Sequence, residues 1–294
     1  MPQPPSVPIE VVLGILEHLQ PSDQLLVLQA FASLAALMAC RHLSMDEHSN
    51  TILHILARTD DSVADITKHL LPHVKDQIDR FNQQCETALM CAAAGGADSQ
   101  VVGREQCRFK NGHEGAVRIL LDQPGVNVNP HYKWRSTPLL CAIQKGYHTI
   151  AKLLLAHKDI RPDLWDECSR NALFWACWNG LEELFEILIS HETTLGAEAD
   201  PMNNEGRTPL SYAAWNCEAE IVELLLARED VKSDSVAEWG RTSLSYATEG
   251  DSLEILRLLL AHGSRPDSVD LCERTPISYA EETGDEETLA LLTS

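Results

Sequence analysis

Basic charge is scarce in this chain. Its 294 residues carry 23 Lys and Arg against 44 Asp and Glu, a formal net charge of −21. A nucleic-acid ligand needs a positive stripe that displaces counterions, and an anionic membrane surface needs a basic one, so the sequence points to neither. The same imbalance favours solubility and a basic partner. No apolar run reaches the ~18 residues that suggest a membrane span. The opening MPQPPSVP has no basic stretch followed by an apolar core, so no signal peptide is expected. Cysteines number nine, an odd count, and none are spaced CxxC. Scattered residues such as Cys91, Cys141 and Cys177 read as reduced, buried small hydrophobes of a protein in the cytoplasm or nucleus.

Catalytic signatures are missing too. No GxSxG, phosphate-binding loop or HExxH occurs, and such patterns are what position a nucleophile, a phosphate or a metal. Cys107 and His113 form the one Cys/His pair that can be drawn, and nothing in the sequence orients them. His157, His191 and His262 share one register. Equivalent positions on neighbouring helices stand roughly 8–10 Å apart, too far for zinc–nitrogen bonds of ~2 Å. Their placement at helix C-termini is favourable in itself. The reading is therefore no enzyme, no catalytic residue, no cofactor and no metal.

What is present is a repeat. TALMCAAA begins at Thr87, TPLLCAIQKG at Thr137, NALFWACWNG at Asn171, TPLSYAAWNC at Thr208, TSLSYATEGD at Thr242 and TPISYAEETG at Thr275. A degenerate first copy, SNTILHILART (50–59) with VADITKHLLPHV (63–74), precedes them. Thr at the start of each unit caps a helix. Pro138, Pro209 and Pro276 follow it at the first helical position, where a missing N–H is harmless. The next Leu or Ile points into a stack, and Ala142, Ala176, Ala213, Ala247 and Ala280 let paired helices approach. Gly146 and Gly180 suit a left-handed turn between them. Second helices follow at 112–121, 150–157, 184–191, 221–229, 253–262 and 287–294, with LLL-type blocks that bury against both neighbours. The last carries Leu289, Leu291 and Leu292 beside Glu286 and Glu287. It reads as a weak cap or as one more repeat of a longer array.

A period near 33 that opens on Thr-Pro-Leu resembles the ankyrin repeat, over about residues 50–294. GRTPLSYAAWN (206–216) is similar to the repeats abundant in filamentous fungi. The resemblance implies an all-α solenoid of helix-turn-helix repeats with short hairpin fingers, and a monomer that binds a protein partner. Seven or so repeats fill 46–294, behind a disordered tail at 1–7 and a small helical module at 8–45. About 17 surplus residues enter the second repeat near 96–111, between its paired helices. They read equally as a functional loop or as a retained short intron.

Two sets of residues carry the expected contacts. Trp175, Tyr212, Tyr246 and Tyr279 lie four residues after the repeat start, and Trp178 and Trp215 lie seven after. These spacings share one side of a helix, and the resemblance makes them groove positions. Trp134 and Trp239 sit in the fingers. Tyr, recurring in SYA, reads chiefly as inter-repeat stacking, whereas the two tryptophans at the seventh position read as partner contacts. The first 40 residues resemble an F-box through Pro8, Ile9, Val12, Ile15 and Leu16. That resemblance implies docking on the adaptor of a cullin–RING ubiquitin ligase, with the repeats holding the substrate. The alternative is a scaffold or inhibitor unconnected with ubiquitin.

Overall fold

The computed structural model describes residues 49–58, 67–68, 71, 77–94, 112–131, 136–195, 199–237 and 239–293. The expected tail, the module at 8–45 with Pro8, Ile9, Val12, Ile15 and Leu16, the insertion at 96–111 and Trp134 all lie outside these residues. Helices alone build the described chain: α1 (Ile52–Arg58), α2 (Ala88–Ala93), α3 (Glu114–Leu121), α4 (Pro138–Gln144), α5 (His148–Leu155), α6 (Ala172–Trp178), α7 (Glu182–Leu195), α8 (Pro209–Trp215), α9 (Ala219–Leu226), α10 (Ser243–Glu249), α11 (Leu253–Ala261), α12 (Pro276–Thr283) and α13 (Glu286–Thr293).

The repeat starts are helix caps. Thr87, Thr137, Thr208, Thr242 and Thr275 each accept an amide hydrogen bond from the residue three further on, as Asn171 does through its side chain. Ser211, Ser245 and Ser278 return the bond to the cap backbone. Each cap of this kind is worth ~1 kcal/mol. The turn that ends each first helix is left-handed at the same register, at Gly146, Gly180, Cys217, Asp251 and Gly284. Cys217 and Asp251 hold this conformation without the freedom of glycine.

The described residues fall into two compact units, one of those up to Ala142 with 156–160, the other of those in 143–155 and from Arg161 on. In the first, α1, α2 and α3 pack together. His54, fully buried, accepts from the Thr51 amide through Nδ1, which leaves Nε2 to donate to the Glu86 carbonyl of the next repeat. Helices α2 and α3 are in contact although residues 94–113 separate them, whereas 216–218 suffice between α8 and α9.

In the second unit, α6, α8, α10 and α12 pack side by side in one layer, and α7, α9, α11 and α13 in another. Leu173, Leu210 and Leu244, with Ala176, Ala213, Ala247 and Ala280, are fully buried between them. Burying each leucine contributes about 1.5–3 kcal/mol. Helix α7 extends to Leu195, past the expected end at 191. Here the spacing of repeat starts lengthens from 34 to 37 residues, and α7, at 14 residues against 8 in α5 and α9, takes up more than the extra three. The fingers are tight turns: among the described residues the sole β-contact is the bridge between Val236 and Thr242.

Candidate protein-binding face

In the second unit, three of the four fingers are closed by a side chain placed five residues before the helix cap. Asp166 accepts the amides of Cys168 and Arg170 through Oδ1, Asn203 those of Glu205 and Arg207, and Asp270 those of Cys272 and Arg274. The far end of the same side chain reaches the aromatic residue nine positions on. Trp175 donates from Nε1 to Asp166 at 3.2 Å, Asn203 donates to the Tyr212 hydroxyl at 3.3 Å, and Tyr279 donates to Asp270 at 2.6 Å. The fourth finger has Ala237, and there the buried Tyr246 hydroxyl has no hydrogen-bond partner among the described residues.

An arginine precedes each cap and lies over these rings. Arg170 stands 4.4 Å from the Trp175 centroid, and Arg274 stands 4.4 Å from that of Tyr279. Arg207 covers Tyr212, Trp215 and Tyr246, and Arg241 covers Tyr246 and Tyr279. Each arginine also meets a carboxylate, in the pairs Arg170–Asp166, Arg207–Glu205, Arg241–Glu249 and Arg274–Asp270. Cation–π contacts of this kind are worth ~0.5–2 kcal/mol each, more where water is excluded.

This ladder decides which of the expected groove residues face outward. Tyr212, Tyr246 and Tyr279 are buried. Their rings lie beneath the face as the inter-repeat stack, so the tyrosines support the surface instead of forming it. Burial pushes the Tyr279 hydroxyl up to about 12, helped by the charge and hydrogen bond of Asp270. Trp175 is half-buried. Trp178 and Trp215 are exposed at 41% and 40%, with ring centroids 6.3 Å apart in an edge-to-face arrangement. Trp178 also leans on Tyr212 at 5.0 Å, and Trp215 on Tyr246 at 6.2 Å. The Asn216 side chain donates to the Trp178 carbonyl and fixes that helix end. Trp239 is exposed in its finger, and its carbonyl accepts from the Leu271 amide of the next.

A second exposed row lies on the fingers. Six residues before the cap stand Trp165, Met202, Val236 and Val269, each about half exposed or more. Sequence reading missed it because the four share a register but no single residue type. The arginine row was visible as Arg before Thr or Asn, a spacing that by itself also fits a solvated face.

The histidines are placed as helix ends. His262 caps α11, its Nδ1 2.9 Å from the Leu258 carbonyl, and His157 accepts the Asp159 amide. The His191 side chain and Cys107 lie outside the described residues. Among the described residues, no three His, Cys, Asp or Glu side chains gather where they could hold a metal ion.

No curated protein matches the chain. A family model for ankyrin repeats in three copies matches residues 107–199 and 161–235, and a model for the single ankyrin repeat matches 239–271. Together they take in more than half of the sequence, in step with the cap register, the helix pairs and the fingers. The chain belongs to the ankyrin-repeat proteins.

Proposed function

We propose that this chain is a non-catalytic binding module that anchors a protein partner on Trp178 and Trp215. Ankyrin repeats are protein–protein interaction modules. The observation that carries the assignment of the contact residues is the exposure of two touching indole rings on a stack whose tyrosines are buried and whose Trp175 is half-buried. Isolated exposed apolar side chains are ordinary, whereas a contiguous aromatic patch marks an interface. The rings are held from beneath by Tyr212, Tyr246 and Arg207, so little ordering entropy is lost when a partner lands on them. Trp239 and the finger row extend the same role. The net charge of −21 favours a partner with basic character.

Proximity labelling with the wild-type chain and with the Trp178→Ala/Trp215→Ala double variant tests this. Helical content and melting should persist in the variant while specific labelled proteins disappear. Unchanged labelling by a folded variant sinks the assignment. The narrower version, a substrate receptor of a ubiquitin ligase, is supported by the F-box resemblance of residues 8–28. A pull-down with the ligase adaptor, using the full chain and a chain lacking residues 1–40, separates it from a plain scaffold. The receptor version requires adaptor binding by the full chain alone.

A further inference from the structure

The two aromatic rows of this face hold Trp175, Tyr212, Tyr246 and Tyr279 at the fourth position after the cap, and Trp178 and Trp215 at the seventh. Five of these six rings lie beside a guanidinium, at 4.2–5.5 Å from ring centroid to its central carbon. Trp178 alone has no cation over it among the described residues. The reason is local. Arg207 reaches both rings of its own repeat, Tyr212 and Trp215. In the repeat before it, Asp166 accepts from Arg170 Nε at 3.0 Å, and that arginine lies over Trp175. The Trp178 ring faces solvent.

A carboxylate beside the same turn lacks a cation too. Glu218 packs against Gly180, two residues after Trp178, so closely that a Cβ there would collide with the carboxylate oxygens. Two residues before Glu218, Asn216 donates to the Trp178 carbonyl at 3.0 Å and ties the two segments together. Glu218 makes no ion pair among the described residues, and the charges that face it are those of Glu182 and Glu220. Burial, and then those two neighbours, push its carboxyl up, a cost that a cation beside it would relieve. Elsewhere on the face each arginine joins a ring to a carboxylate: Arg170 joins Trp175 to Asp166, Arg241 joins Tyr246 to Glu249, and Arg274 joins Tyr279 to Asp270. Trp178 and Glu218 supply the ring and the carboxylate of the same arrangement.

We infer that Trp178 and Glu218 receive an arginine side chain of the partner protein, its guanidinium over the Trp178 ring and its N–H groups toward the Glu218 carboxylate. A guanidinium suits both groups: it is planar, stacks on aromatic faces, is weakly hydrated, and presents a fork of donors that matches a carboxylate. Lysine offers a strongly hydrated point charge instead. The net charge of −21 favours the approach of such a residue. The inference rests on the proposed binding role of the tryptophan pair and adds the residue type that the site takes.

The test follows the indole N–H signals of the full, isotope-labelled chain by NMR during titration with blocked peptides Gly-Gly-Xaa-Gly-Gly. The central residue is arginine, lysine or citrulline, which keeps the plane of arginine and loses its charge. The Trp178 signal, assigned by its loss in Trp178→Ala, should shift saturably with the arginine peptide. The lysine peptide should bind about threefold more weakly or worse, and the citrulline peptide should leave the signal in place. Glu218→Gln should weaken the arginine peptide about threefold and narrow its advantage over lysine, whereas Glu281→Gln, at an exposed acid in another repeat, should change nothing. Equal affinity for arginine and lysine, unchanged affinity in Glu218→Gln, or no saturable shift at Trp178 overturns the inference. The partner-binding role is judged separately by the labelling comparison, since an anchor of another residue type would still be lost in the double variant.

Discussion

Tyr279 donates its hydroxyl hydrogen to Oδ2 of Asp270 at 2.6 Å, across nine residues that fold a finger back onto its own helix. Asp270 accepts two backbone amides of the finger through its other oxygen. Burial opposes its ionisation, yet the bonds from Tyr279, Arg274 and Cys272 hold its carboxyl below the usual range. One repeat earlier the same ring position is Tyr246 and the same finger position is Ala237, and the buried Tyr246 hydroxyl has no hydrogen-bond partner among the described residues.

Removing the two hydroxyls should therefore have unequal effects. Tyr279→Phe deletes a hydrogen bond to a charged group and should destabilise by about 1.5–3 kcal/mol. Tyr246→Phe deletes a buried hydroxyl that bonds to nothing described, and should be neutral or stabilising by up to ~1 kcal/mol. Urea unfolding of the two variants checks this. Equal losses would mean that the Asp270 contact adds nothing.

The converse substitution should repair the weak finger. Ala237→Asp places a carboxylate where Asp166 and Asp270 already close their turns, within reach of the Trp239 and Arg241 amides and the Tyr246 hydroxyl. A gain of about 1–2 kcal/mol is expected, and Tyr246→Phe made on that background should then become costly. Additive effects of the two changes would refute the pairing.

These contrasts explain how far the sequence was legible. The period, the Thr caps, the left-handed Gly146 and Gly180 and the buried alanines could all be read, because each depends on local backbone chemistry that recurs. Trp178 and Trp215 stood out because they broke the consensus. Tyr212, Tyr246 and Tyr279 were ambiguous, since a groove position and a stacking position share one helical register. Their rings are covered by arginines of their own and of the preceding repeat, as when Arg207 lies across Tyr246 and Arg241 across Tyr279. The finger row at Trp165, Met202, Val236 and Val269 was invisible to any search by residue type. The extra turn of α7 was implied by the 37-residue spacing, but nothing in the sequence said which segment would take it up.

Asp200 gives the fold a pH dependence. Its Oδ1 accepts the Leu210 amide at 3.0 Å while Oδ2 is buried without a described partner. Burial pushes its carboxyl from 3.8 up to about 6, only partly opposed by the bonds from Leu210 and Thr208. Between those values the folded chain holds more protons than the unfolded one. This group's contribution therefore favours folding at low pH, declines as pH rises through 4 to 6, and is level above. Asp200→Asn should be more stable than the wild type at pH 7 by up to about 3 kcal/mol. Its advantage should vanish below about pH 4. Unfolding free energies of both chains from pH 4 to 8 measure the difference, and a gap that does not close with acid would exclude Asp200 as its source.

Arg207 is the strongest single test of the ladder, because its guanidinium lies 5.1–5.5 Å from the rings of Trp215, Tyr246 and Tyr212. Its paired carboxylate, Glu205, is 3.6 Å away and exposed, so the ion pair should contribute little, within about 1 kcal/mol. The rings should matter more. Arg207→Ala is expected to destabilise by about 1–2 kcal/mol and to alter the emission of the tryptophan pair. Glu205→Ala should shift stability by less than ~0.5 kcal/mol. Arg207→Lys keeps the charge but lacks the plane that covers three rings at once, so it should restore only part of the loss. If Arg207→Lys matches the wild type, charge alone accounts for the arginine and the stacked geometry contributes nothing. If Glu205→Ala matches Arg207→Ala, the ion pair holds the ladder and the rings merely line it.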